Sequence, residues 1–155
     1  MNEMFLARGK LKYDNLPHKK GDWVYGNYVE LKDGDRTIYC IYGFGEIIPE
    51  TVGRYICMPD KNGKRIFEGD IIKGKHKKDL FIVEYSQATA AFIAKGLNGY
   101  PYPVVCKGTM TYYEVIGSIH DSPALLNSSD MQILNEITQN TLMPATPENF
   151  ELMQG

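Results

Sequence analysis

The sequence has little of what holds small proteins together covalently or through metal ions. Only 3 of its 155 residues are cysteine. They lie far apart, at Cys40, Cys57 and Cys106, which argues against a disulfide framework. In strand-like surroundings we expect them to be small, buried apolar side chains. The sequence contains no C-x-x-C or H-x-x-x-H pair, so the spacing typical of a zinc site is missing. We therefore expect neither a metal nor a cofactor.

Long apolar runs are also missing. The longest, such as Leu80–Val83, are far shorter than the roughly 20 residues of a membrane-spanning helix. The first ten residues lack the basic leader and apolar stretch of a signal peptide. We expect a cytoplasmic protein with no membrane partner.

The net charge is small, −2, which excludes a broadly basic nucleic-acid-binding protein. The charge is distributed unevenly, however. Residues 127–155 contain four acidic residues and no Lys or Arg, a net −4, so residues 1–126 carry +2. Residues 60–78 contain seven basic and three acidic side chains, a net +4. One hypothesis is that the acidic tail covers this cationic segment in the same or another subunit.

Tyrosine and glycine are abundant, with 11 Tyr and 15 Gly against one Trp. This composition favours strands joined by tight turns, and therefore a mainly β protein. Asn62-Gly63 is a strong turn signal within Asp60–Gly63. The strands after residue 60 indicate a small closed or rolled barrel. The predicted strands are Trp23–Leu31 (with a bulge at Gly26), Arg36–Tyr42, Thr51–Met58, Leu80–Tyr85, Ala90–Ala94 and Tyr112–Ile119.

The C-terminal 29 residues differ from the rest and are predicted to form an acidic tail with one helix. A short turn at Pro123–Leu126 precedes it. The helix is expected to run from Ser129 or Asp130 to about Asn140. Its apolar stripe packs either on its own domain or on a neighbouring subunit. The stripe consists of Met131, Leu134 and Ile137.

Two stretches have a specific order of residues, in addition to the apolar–polar alternation that is typical of strands. The first is Thr51–Tyr55 followed by D-K-N-G-K-R-I-F-E-G-D-I-I from Asp60 to Ile72, and the second is Y-E-V-I-G-S-I-H-D-S-P-A-L-L from Tyr113 to Leu126. Both resemble the signature of the YopX family of phages, prophages and mobile elements. The resemblance covers about residues 1–126, although residues 56–59 depart from the family pattern.

The resemblance implies a smaller β-rich region at 1–58, an SH3-like β-roll at 59–126, and a homo-oligomer. It leaves the tail, 127–155, outside and supplies no catalytic residues. Physical reasoning gives the motif a structural role, because Gly69 permits a sharp turn and Asp70 can accept backbone N–H groups. The alternative is that Glu68 and Asp70 bind a metal. The motif residues expected to be structural are Asp60, Asn62, Gly63, Phe67, Glu68, Gly69, Asp70 and Gly117.

No catalytic constellation is evident, and neither a phosphate loop nor a dinucleotide fingerprint occurs. Cys106 with His120 is the one nucleophile–base pair considered. A polar cluster in a pocket with perturbed pKa values would favour a hidden enzyme. The first interpretation is a non-enzymatic protein that self-associates and binds partners. The alternative is weak, sequence-tolerant nucleic-acid binding. Its residues would be Lys73, Lys75, Lys77 and Lys78, with Tyr112 and Tyr113 as a stacking platform.

Overall fold

The computed structural model describes residues 3–76, 79–96 and 103–125. These residues form ten strands, one short α-helix and three 3₁₀ helices, so the protein is mainly β as predicted. The strands are β1 (Leu6–Lys10), β2 (Trp23–Asp33), β3 (Arg36–Ile41), β4 (Gly45–Glu46), β5 (Gly53–Pro59), β6 (Arg65–Phe67), β7 (Asp70–Lys73), β8 (Leu80–Ser86), β9 (Ala91–Gly96) and β10 (Glu114–Ser118). The helices are α1 (Lys107–Met110) and the 3₁₀ turns Glu3–Phe5, Pro49–Thr51 and Pro123–Leu125. None of the helices in these residues is long and apolar enough to cross a bilayer.

The strands form two antiparallel sheets. The first has the order β4-β3-β2-β1-β5-β6, and the second has the order β10-β7-β8-β9. The first sheet curls, because the chain after β4 returns to the end of β1 through a bridge between Leu11 and Ile47. The curl surrounds one core of Ala7, Leu11, Val24, Ile41 and Ile47.

A second core lies between the two sheets. It contains Ile56 from β5, Ile66 from β6 and Ile72 from β7, together with side chains from the other strands of the second sheet and from α1. Burial of large apolar side chains is the main favourable contribution to folding. This core therefore ties β5 and β6 to the second sheet.

The predicted hairpins are present. β3 pairs with β2 in a continuous register, and β9 pairs with β8. The predicted bulge at Gly26 is wrong, because β2 runs through that residue in register with Ala7. A Cβ on Gly26 would lie 3.0 Å from the Ile41 side chain, so close packing is what the glycine permits. The bulge occurs instead in β10, between Val115 and Gly117.

The cysteine prediction is wrong for two of the three residues. Cys40 is half-buried, but Cys57 and Cys106 are exposed. Cys57 has a positive φ of 65°, and it lies where the pairing of β5 with β6 shifts register. Its side chain therefore does not follow the inward–outward alternation of the strand and points to solvent. Cys106 directly precedes α1 at the surface.

The predicted boundary at residues 58 and 59 falls within β5, whose partner β6 lies on the other side of that boundary. The division into 1–58 and 59–126 stays a prediction. The predicted tail helix and its apolar stripe lie outside the described residues.

Candidate functional site

The carboxylate of Asp60 organises the turn of the motif. One oxygen accepts the backbone N–H groups of Asn62 at 2.8 Å and Lys64 at 2.9 Å. The other accepts the N–H of Val115 in β10 at 2.9 Å. Gly63 completes the turn with a φ of 80°. This buried carboxylate therefore fixes the turn and attaches it to a strand that lies 55 residues further along the chain.

The Glu68-Gly69-Asp70 corner turns the chain from β6 into β7. Gly69 has a φ of 87°, which favours glycine. Its N–H donates to the carbonyl of Val83 at 2.8 Å, and its carbonyl accepts from Ile119 at 2.9 Å. Asp70 accepts the N–H of Phe67 at 2.8 Å, which is the local backbone bond expected for it.

The two carboxylates of the corner bind different arginines. Glu68 accepts the Nε–H of Arg54, whereas Asp70 pairs with Arg8. No group of three or more metal-ligating side chains occurs among the described residues. The geometry therefore gives no support to a metal held by Glu68 and Asp70 together.

Gly117 lies at another close approach. A Cβ there would lie 2.5 Å from the Oγ of Ser122, so the bulged strand β10 packs directly on the turn that follows it. This agrees with the structural role expected for the glycine.

Arg8, which no local sequence pattern indicated, occupies the centre of the junction between the sheets. Its Nη2 lies 2.6 Å from the Asp70 carboxylate, and the side chains are only 7% and 2% exposed. The guanidinium carbon lies 4.4 Å from the Trp23 ring centroid and 4.9 Å from that of Phe67. Burial raises the pKa of Asp70, while Arg8 and the Phe67 N–H oppose the rise. A buried ion pair thus connects β1 to β7.

A second polar cluster adjoins this pair. Asp121 accepts the indole N–H of Trp23 at 2.6 Å and a hydrogen bond from Lys10. Burial by itself raises the pKa of Asp121, but these two hydrogen bonds hold it below its usual value. The His120 ring packs edge-on against Trp23 at 5.9 Å. Burial, followed by the nearby charges of Arg8 and Lys10, lowers the pKa of His120 to about 4, so the imidazole is neutral at physiological pH.

In the structure, Cys106 and His120 have different partners and do not form a nucleophile–base pair with each other. The Cys106 thiol is bonded to the Thr109 hydroxyl at 3.1 Å, which lowers the thiol pKa. His120 instead packs against Trp23. The shifted pKa values near this junction belong to Asp70, His120 and Asp121. Both carboxylates are already paired with cations, which favours a structural role for the cluster over catalysis.

Two adjoining clefts open beside that cluster. The larger has a volume of about 650 Å³ and is lined by aromatic rings and by Arg8, Lys64 and Arg65. The smaller, about 170 Å³, shares Arg8 and Lys64 with it and reaches Trp23 and Asp121. Neither cleft was predicted, because their walls come from strands that are distant in the sequence.

The predicted nucleic-acid site is assembled only in part. Lys73 is half-buried and Lys75 is exposed, whereas Lys77 and Lys78 lie outside the described residues. Tyr112 is 78% exposed. The Tyr113 ring lies beside Gly74, the residue between Lys73 and Lys75. A Cβ on Gly74 would be 3.1 Å from the Tyr113 ring. However, the Tyr113 ring packs edge-on against Phe81 at 5.8 Å, so part of its surface is committed to the core.

Comparison with known proteins places the chain in a family. No curated protein matches it. The crystal structure of protein EF1440 from Enterococcus faecalis is 24% identical, over 65% of this chain and 76% of that chain, with a TM-score of 0.40. The family model described as YopX protein matches residues 10–127, which is most of the sequence. The chain therefore belongs to the YopX family.

Proposed function

We propose that this YopX-family protein has no enzymatic activity and acts by self-association, which then presents surfaces to other partners. We place it in the cytoplasm and assign it to a phage, prophage or mobile element. The proposal includes an SH3-like β-roll at 59–126, supported by a core to which strands β6 to β10 all contribute. It also includes a tail, 127–155, with one helix.

The observation that carries the proposal is an apolar stripe on the β2–β3 hairpin. Directly opposite residues of an antiparallel pair point to the same face. The register pairs Val29 with Cys40 and Leu31 with Ile38, so these four side chains share one face. Leu31 is 50% exposed. The opposite face carries Tyr28, Tyr39 and Ile41, which pack on the core inside the curl.

A second copy of this chain is the occupant that fits the stripe best. Beyond the stripe, the end of the hairpin carries Lys32 and Arg36 together with Asp33 and Asp35. These charges cancel, so two copies can approach through this surface without net repulsion. The pairing of β2 with β1 ends at Asn27, so the outer part of the hairpin continues as two strands. A two-stranded ribbon is only marginally stable by itself, and covering its apolar face with an identical face would stabilise both hairpins.

The test is the native mass of the wild type and of Leu31→Asp, measured by light scattering during gel filtration. The wild type should have a multiple of the 17.6 kDa chain mass. The variant should elute as a single chain, because a carboxylate in an apolar interface is costly to bury. Leu16→Asp is the matched control, since Leu16 is 81% exposed outside the hairpin. A monomeric wild type, or an unchanged oligomer in Leu31→Asp, would contradict the proposal.

A second candidate function is binding of nucleic acid through the cationic segment at 60–78. The observation that favours it is the position of Lys75. Lys75 is exposed, and it follows Gly74, whose backbone lies beside the Tyr113 ring. Tyr112, the neighbour of Tyr113 in the chain, is also exposed. Affinity for a single-stranded oligonucleotide should fall as salt rises, and Lys75→Ala should weaken it. Affinity that does not change with salt would rule this candidate out.

A further inference from the structure

The larger cleft is more basic than the protein as a whole. Its walls carry three cations, Arg8, Lys64 and Arg65, and one carboxylate, Glu3. With Asp70, the partner of Arg8, the net charge is +1. Arg65 is paired with Glu3 at the rim. The ammonium group of Lys64 forms no ion pair within the part of the chain that the structure describes. The Asp70 carboxylate is close enough to interact with the Lys64 charge, but it is not bonded to the ammonium group, so Lys64 can still pair with an anion in the cleft.

Arg8 supplies an unmet hydrogen-bond donor in the wall that the two clefts share. Its Nη2 is bonded to Asp70, but its Nε is buried and has no acceptor among the described residues. A buried donor left without an acceptor is costly. The Nε–H is covered in this structure, so a ligand acceptor would have to displace a neighbouring side chain to reach it and remove that cost.

The cleft also offers an aromatic face. Tyr25 lines it and is 47% exposed. Its ring rests on that of Phe67, with centroids 5.5 Å apart, and Tyr55 supports Phe67 from another side at 5.5 Å. Tyr25 is therefore a supported ring with a free surface beside the cations. Aromatic rings of this kind stack on the flat rings of bases.

From these three features we propose that the larger cleft binds a nucleoside phosphate, either free or as part of a single strand. The base lies against Tyr25, and the phosphate lies beside Lys64 and Arg65. A volume of about 650 Å³ lies in the range of small-ligand sites. The site shares no residue with the proposed self-association stripe, although Tyr25 lies on the same strand as Val29 and Leu31. It differs from the second candidate function in using Lys64 and Tyr25 in place of Lys75 and Tyr112.

The single tryptophan of the chain provides the readout. Trp23 contacts Arg8 and lines the adjoining cleft, so its fluorescence should respond to a ligand at this site. Adenosine monophosphate is the probe, with calorimetry as a second measurement. Adenosine alone and inorganic phosphate alone test whether both parts of the ligand are needed, and each should bind at least about tenfold more weakly.

Lys64→Ala should weaken binding of the nucleotide by about tenfold, the effect of losing one charge-assisted hydrogen bond. Lys61→Ala is the matched control. Lys61 is exposed on the same turn, but it pairs with Glu114 and lies outside the cleft lining. This variant should bind within about twofold of the wild type, because Lys61 is already paired and does not line the cleft.

A short oligothymidylate distinguishes the two sources of the ligand. If it binds and the mononucleotide does not, and Lys64→Ala weakens it, the ligand is a strand. Sensitivity to Lys75→Ala without sensitivity to Lys64→Ala would overturn the cleft proposal in favour of the second candidate function. Failure of every probe to bind more tightly than about 1 mM would overturn it as well. The native-mass experiment would be unaffected by either failure.

Discussion

Removing one partner of the buried pair of Arg8 and Asp70 should destabilise the protein strongly. The two side chains are 7% and 2% exposed, and their charged atoms lie 2.6 Å apart. Asp70→Asn keeps the shape and an acceptor for the Phe67 N–H, but it leaves the arginine buried without a counter-charge. Loss of one partner of a buried pair costs about 3–5 kcal/mol. This is a large part of the roughly 5–15 kcal/mol that stabilises a typical domain.

A double-mutant cycle separates the pair from its surroundings. Arg8→Met removes the charge and keeps much of the apolar length, so the double variant with Asp70→Asn has no unpaired buried charge. We expect it to be less destabilised than the sum of the single variants by about 2 kcal/mol or more. The free energy of unfolding is measured in urea by circular dichroism, because Arg8→Met also alters the surroundings of Trp23 and therefore its fluorescence.

The exposed pair of Arg54 and Glu68 is the control for that cycle. Arg54 is 51% exposed, and the coupling energy of an exposed pair is typically below about 1 kcal/mol. Additive effects at Arg8 and Asp70, or equal coupling in the two cycles, would refute the view that a buried charge pair holds the sheets together.

Three further predictions concern single residues. The pKa of His120 is lowered to about 4, so the unfolded chain binds more protons than the folded chain between about pH 6.5 and 4. The free energy of unfolding should therefore fall as the pH is lowered through that window. In His120→Gln the urea midpoint should fall less over the same window. Asp60→Ala should cost about 2–4 kcal/mol, because it leaves the buried N–H of Val115 without its acceptor, which chemical denaturation would measure. Gly53→Ala should lower the melting temperature, since its Cβ would lie 2.5 Å from a backbone oxygen, whereas Gly108→Ala, in open space, should not.

Local features of the fold were predictable because their causes lie within a few residues. The turn at Asn62-Gly63 follows from the backbone freedom of those two residue types. The corner at Gly69 and Asp70 follows from a positive φ and a local backbone hydrogen bond. The strand β8 is similarly visible in its own aliphatic and aromatic residues, but its burial does not alternate, because Phe81, Ile82 and Val83 are all buried. Such features need no knowledge of distant contacts.

The candidate site was not predictable from those signals. Arg8 and Asp70 are 62 residues apart, and Trp23 and Asp121 are 98 apart. No pattern in either local segment indicates the other. The exposure of Cys57 was missed for a related reason, since the register shift that turns it outward arises from pairing with β6. Contacts across sheets decide these positions, and a single sequence does not display them.

The most direct test of self-association through the β2–β3 hairpin is amide hydrogen exchange at several protein concentrations. Protection of residues 29–40 should increase with concentration, because a second copy covers the stripe containing Leu31 and Ile38. Protection of β8, in the second sheet, should change little. Exchange in residues 29–40 that is independent of concentration, together with a mass of 17.6 kDa throughout, would contradict the account.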